Sequence, residues 1–147
     1  MTEEEMIQMT RENVALLNAR DLDHYLERID ESYVGESEMF PTGLRGPEAV
    51  RRQLSMLLAA FPDLHVEIEQ ILASGDHVVS RLRLTGTHKG SFAGIAPTGK
   101  TVSWGGCGVS QIRNGKAIRG RVYADNASLF EQLGVFAIPK AAVAANP

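Results

Sequence analysis

Between two long alternating runs lies the dipeptide Asn114-Gly115, and it constrains this chain's fold more than any other pair of residues. Both residues accept positive φ, so together they make the two-residue type I′ turn whose twist suits antiparallel strands. The runs on either side, Lys100 to Arg113 and Lys116 to Asp125, must then fold back on each other. The turn also sets a register. Arg113 faces Lys116, Ser110 faces Arg119, Gly108 faces Arg121, Gly106 faces Tyr123 and Trp104 faces Asp125. Cross-strand partners share a face, so the eight residues of the last four pairs are expected on one side of the hairpin. A β-bulge would break that register, and glycines are the usual places for one.

The first of these strands is unusual. Val102-Ser103-Trp104-Gly105-Gly106-Cys107-Gly108-Val109 carries three glycines within four positions. Glycine weakens a strand, both by entropy and by leaving nothing to pack. The space it leaves suits a bend or a ligand lying against the backbone. With the register above, Gly106 and Gly108 form a gap bounded by Trp104, Tyr123, Arg121 and Asp125, the floor of a small-molecule pocket.

Upstream the pattern is helical. Thr2 and Glu5 form a capping box, and Met6, Ile7, Met9, Val14 and Leu17 make a stripe to about Arg20. Asp21 caps a second helix bearing Leu22, Tyr25, Leu26 and Ile29. Ser32 to Phe40 reads as extended, and Pro41-Thr42-Gly43 as a turn. Gly46-Pro47 opens a third helix to about Phe61, with Leu54, Leu57 and Leu58 inward. After Phe61-Pro62-Asp63 the apolar period changes from 3.6 to 2. His65 to Ala73 and His77 to His88 are strands around a Ser74-Gly75-Asp76 turn, and 89–99 is a loop. A short helix from about Ala127 to Leu133 closes the domain at Gly134. Helices followed by a meander of long strands predict an α+β domain: a curved antiparallel sheet with helices on one face, enclosing a cone.

Bulk properties narrow the function. The 147 residues suit one domain, here 1–135 with a tail at 136–147, and 44% apolar and 22% charged content is that of a globular protein. A net charge of −3 gives no electrostatic footprint for nucleic acid or an acidic membrane. No run approaches the roughly 18 apolar residues of a membrane span, and the acidic start Met1-Thr2-Glu3-Glu4-Glu5 is unlike a secretory signal, so a cytoplasmic location is expected. The lone Cys107 excludes an internal disulfide and reads as a small strand hydrophobe. His24, His65 and His77 have no metal-ligand spacing, so no metal is expected.

Asp125 is the candidate acid/base. Beside Trp104 and under a helical lid, desolvation would raise its pKa and make it a stronger base. The alternative is that Asp125 or Asn126 only caps the last helix. Arg121 is placed to pair with Asp125 or to bind an anionic oxygen of a ligand; otherwise it is a solvated or subunit-interface residue. Trp104 and Tyr123 offer aromatic walls to a flat hydrophobic ligand, or core packing. His88, at a strand end beside the loop, is a candidate proton shuttle or a surface histidine. Tyr33, Phe40 and Phe61 sit where helices would roof the cone.

Gly86-Thr87-His88-Lys89-Gly90-Ser91-Phe92 and Gly94-Ile95-Ala96-Pro97-Thr98-Gly99-Lys100 resemble the strand-loop-strand of the SnoaL-like polyketide cyclases. Phe61-Pro62-Asp63-Leu64 and Asp125 with Leu129 and Gln132-Leu133-Gly134 extend the resemblance over roughly residues 5 to 135. It implies a nuclear transport factor 2-like (cystatin-like) cone, a homodimer through the outer sheet face, and catalysis without metal or organic cofactor. It also implies that Asp125 is the acid/base of an intramolecular aldol closure of a hydrophobic polyketide ester, a planar ligand. Two departures stand out: many relatives carry a histidine where Gly120 stands and an aromatic where Arg121 stands. Two other readings keep the pocket: isomerisation, hydration or hydroxylation of another hydrophobic carbonyl compound, or a non-catalytic dimeric ligand-binding domain.

Overall fold

The computed structural model describes residues 1–139. Helix α1, Glu3–Asn18, starts at the Thr2–Glu5 capping box and buries Met6, Met9 and Leu17. Helix α2 is one short turn, Leu22–Leu26, capped by Asp21. Strands β1, Ile29–Ser37, and β2, Phe40–Arg45, then form a hairpin. Helix α3, Gly46–Ala60, has Pro47 in its first turn. Four long strands follow: β3, His65–Ser74; β4, His77–Thr87; β5, Thr101–Arg113; β6, Lys116–Ala124. Helix α4, Asn126–Gln132, ends the fold.

The six strands form one sheet in the order β2-β1-β6-β5-β4-β3. Neighbours are antiparallel except β1 and β6, which run parallel. The sheet is curved and does not close, with β2 and β3 at its free edges. Helix α1 lies on β3, and α3 lies on β1. This is the α+β cone expected from the order of periodicities.

One turn is not where the sequence pointed. Ser37 pairs with Phe40, so the chain reverses at Glu38-Met39, and Pro41-Thr42-Gly43 belong to β2. Proline is tolerated there because β2 is an edge strand, where one amide fewer costs the ladder little. At the other end, residues beyond 135 pack back rather than simply trail away. The Val135 amide donates to the Phe130 carbonyl, and the Phe136 ring lies 6.4 Å from that of Phe130. The rest of the expected tail, from 140 onward, falls outside the described residues.

Two apolar clusters hold the layers together. One gathers Phe61, Val102, Trp104, Leu129 and Leu133 at the α4 end. The other gathers Met6, Met9, Leu26, Val50, Val78 and Ile112 at the hairpin-turn end. Phe61 is fully buried and its ring meets Trp104, Phe92 and His88 at 5.2, 5.4 and 5.5 Å. Truncating such a side chain to alanine costs about 3–5 kcal/mol. Between the clusters, Val122 on the inner sheet face is 45% exposed, beside the buried Ser37.

A charged clasp joins α3 to the sheet. The Thr87 amide and hydroxyl each donate to the Asp63 carboxylate at 2.7 Å. These bonds hold the Asp63 carboxyl below its ordinary value, the backbone bond first. A depressed folded-state pKa adds stability above the unfolded-state value, and that stability is lost as pH falls through the folded-state value. Asp63→Ala is therefore expected to lower the melting temperature near neutral pH and to lose much of that effect in acid. Thermal melts across pH check this; a deficit that stays constant into strong acid contradicts it.

Candidate functional site

Register decides which side chains meet on the inner face. Asn114 and Gly115 have φ of 52° and 76°, so the type I′ turn forms. Arg113 pairs with Lys116 and Ile112 with Ala117, but the next pair is Gln111 with Arg119, leaving Ile118 unpaired. This is a β-bulge, and it moves every later β6 side chain to the opposite face. Gly108 therefore faces Val122 and Gly106 faces Ala124, while Arg121 and Tyr123 face Val109 and Cys107. The expected pairs of Gly108 with Arg121, Gly106 with Tyr123 and Trp104 with Asp125 do not form. The bulge lies at Ile118, away from the glycines.

Arg121 and Tyr123 consequently leave the pocket for the outer face. The Arg121 guanidinium stands 3.5 Å from Glu36 Oε2 and 4.9 Å above the Tyr123 ring. Tyr123 is 52% exposed. Both line an outer-face hollow of about 370 Å³ with Val109, Gln111 and Arg119. They cannot touch a ligand lying on Gly106 and Gly108.

The inner face is built differently. Leu82 faces Gly106 and Ser80 faces Gly108 across the β4–β5 ladder. With Val122 and Ala124 on the other side, Gly106 and Gly108 lie among uncharged neighbours on the inner face. Neither glycine has positive φ. A Cβ at Gly106 would meet Leu84 Cδ1 at 3.6 Å, and one at Gly108 would meet Ser80 Oγ at 3.5 Å, both ordinary contacts. Backbone and packing thus leave room for larger residues here. The side chains flanking these glycines are Leu82, Ser80, Val122 and Ala124, which the sequence reading missed. Alternation along β6 identifies Val122 and Ala124 once the bulge is placed.

Gly120 is a different kind of glycine. A Cβ there would collide with Tyr33 Oη, and a Cβ at its cross-strand partner Gly35 would lie 2.9 Å from the same atom. The two glycines make a notch in which the Tyr33 ring lies. Burial, with Tyr25 adding to it, pushes the Tyr33 hydroxyl up to about 12. Burial also raises the pKa of Tyr25. Phe40 is half-buried on β2 beside Ser37. Trp104 and Phe61 are core residues: Trp104 is 4% exposed, pairs with Leu84 and packs on Phe61.

Asp125 ends β6. Its amide donates to the Gly105 carbonyl, and its Oδ1 accepts from the Ser128 amide, capping α4. The residue is exposed, so the desolvation anticipated beside Trp104 is absent. It follows Ala124, the partner of Gly106. His88 is neither a surface residue nor placed as a shuttle. It is fully buried, and its Nδ1 accepts from the Thr98 amide at 3.1 Å and lies 3.0 Å from Thr98 Oγ1. The proton therefore resides on Nε2, which is sealed and unpartnered. With its amide bonded to the Lys100 carbonyl, His88 pins the 89–99 loop. Among the described residues no three His, Cys, Asp or Glu side chains converge on a metal position. No helix there is long and apolar enough to cross a membrane.

The profile of the SnoaL-like polyketide cyclases matches residues 7–133. The chain belongs to that family. Aklanonic acid methyl ester cyclase AcmA of Streptomyces galilaeus is 29% identical over 131 residues, spanning 88% of this chain and 91% of that protein. Among solved structures, AclR of S. galilaeus, named as a candidate hydroxylase, superposes with a TM-score of 0.84 at 29% identity, covering 92% of this chain and all of that one (100%). IdmH of Streptomyces antibioticus, named as a candidate polyketide cyclase, superposes with a TM-score of 0.75 at 26% identity, covering 87% and 97%. A nuclear transport factor 2-like cone and a polyketide cyclase-like role follow from membership. The reaction and substrate of this SnoaL-like protein do not.

Proposed function

We propose that this SnoaL-like protein closes a ring in a hydrophobic polyketide ester by an intramolecular aldol reaction that needs no cofactor. The observation that carries the reading is the uncharged stretch of inner face at Gly106 and Gly108, read as an open groove, where neither fold nor packing calls for glycine. A flat acyl chain lies there against the backbone. Holding it in a reactive fold removes entropy from the barrier. Asp125 at the groove's end takes a proton from the carbon between two carbonyls. The enolate carbon bonds to a ketone or aldehyde carbon of the same molecule. The resulting alkoxide takes the proton back, so nothing is lost or added.

The second reading is a ligand-binding domain without turnover, and the exposed, helix-capping state of Asp125 favours it. A homodimer through the outer face accompanies either reading, because that face carries the exposed Tyr123 beside an open hollow. Incubating the protein with an anthraquinone-type methyl ester bearing an unclosed β-keto side chain separates the two. A ring-closed isomer of unchanged mass supports the enzyme. Tight binding with no isomer over many hours assigns the binding domain instead.

A further inference from the structure

We propose that Tyr33 Oη is the hydrogen-bond donor that holds a ketone or quinone oxygen of the ligand in the inner groove. This rests on the reading of that groove as a polyketide-type site. Three observations carry it. First, the notch of Gly35 and Gly120 lets the Tyr33 ring lie flat along the inner face and carries its hydroxyl from β1 across to β6. The next inward residue on β6 is the exposed Val122, roughly 7 Å further along the strand, and Val122 faces Gly108.

Second, the hydroxyl makes no hydrogen bond among the described residues, yet it is not sealed: the one sealed, unpartnered side-chain polar atom there is His88 Nε2. A half-buried hydroxyl left without a partner forgoes a favourable bond, and a ligand oxygen supplies one. Third, the residues facing Gly106 and Gly108 are apolar apart from the neutral Ser80, so one directed donor would fix the orientation of an otherwise slippery planar ligand. The raised pKa keeps the phenol protonated through the whole working pH range. At those pH values the Tyr33 hydroxyl is available as a donor.

Two probes of matched shape test this: an anthraquinone carboxylic methyl ester and the corresponding anthracene ester, which lacks the two ring oxygens. Dissociation constants are read by fluorescence quenching for wild type, Tyr33→Phe and, as a neighbour control, Tyr25→Phe, with thermal melts to show that each folds. Wild type is expected to bind the quinone about tenfold more tightly than the anthracene, as a buried neutral hydrogen bond allows. Tyr33→Phe is expected to erase that difference by weakening the quinone alone. Equal losses for both probes, or none, overturn the assignment of the donor and leave the groove intact. If Tyr25→Phe alone erases the difference, the donor is Tyr25 and the proposal fails. If wild type binds neither probe, the reading of the groove fails first and the donor with it.

Discussion

Asp125→Asn is expected to cut ring closure by about 10²- to 10⁴-fold, the usual contribution of a positioned acid/base, while ligand binding and melting temperature barely change. The substitution is chosen because Asp125 has two possible duties in one place. Its Oδ1 caps α4 by accepting from the Ser128 amide. Asparagine caps a helix about as well as aspartate, so the fold keeps its cap and loses only the carboxylate. Asp125→Ala is the complementary probe. It removes cap and base together, and is expected to cost about 1 kcal/mol of stability in addition to activity. Turnover that survives in the asparagine variant would remove Asp125 from the chemistry and leave it as a cap. In this structure the carboxylate is exposed, so any strengthening as a base has to come from the ligand covering it.

Gly108→Val and Gly120→Val are expected to have opposite effects, although the two glycines sit on adjacent strands. At position 108 the new side chain meets only Ser80 Oγ at ordinary distance and then projects into the groove. A β-branched residue is a better strand former than glycine, so the melting temperature should hold or rise. The planar ligand, however, would lose its floor. Overpacking of that kind costs about 1–3 kcal/mol, or roughly 10- to 100-fold in affinity. At position 120 the first added carbon collides with Tyr33 Oη. Tyr33 must leave its notch, and a stability loss of about 1–3 kcal/mol is expected. Thermal melts with binding isotherms on both variants check the contrast. A folded Gly108→Val protein that binds the anthraquinone ester as wild type does would show that the groove is not the site.

Much of the architecture was legible because it rests on local rules. The Thr2–Glu5 box, the Asp21 and Asp125 caps, Pro47 at the head of α3 and the Asn114-Gly115 turn each act within four residues, and each forms as those rules dictate. The break from period 3.6 to period 2 after Asp63 marks correctly where α3 gives way to the four long strands. Register over distance was not legible. Nothing in Ala117-Ile118-Arg119 marks a bulge, and the glycines that attract suspicion pair regularly. That single unpaired residue sent Arg121 and Tyr123 outward and left Val122 and Ala124 facing Gly108 and Gly106. Burial failed in two further places. His88 looked like a strand-end surface group, yet Thr98 folds over it; Asp125 looked covered, yet it is exposed as the N-cap of α4.

The unpaired Ile118 also says how such a cone can change its ligand. Strand parity beyond that point is a two-position switch, and one residue sets it. Pairing Ile118 with Gln111, so that the bulge is lost and no residue is, would bring Arg121 and Tyr123 inside and put Val122 outside, with no side chain rewritten. An uncharged interior would become one with a guanidinium and a phenol facing the glycine floor. Relatives of equal length that lack the bulge would then differ in the lining of their cavities far more than their percentage identity suggests. Aligning them by residue count alone would compare the lining of one with the outer surface of another.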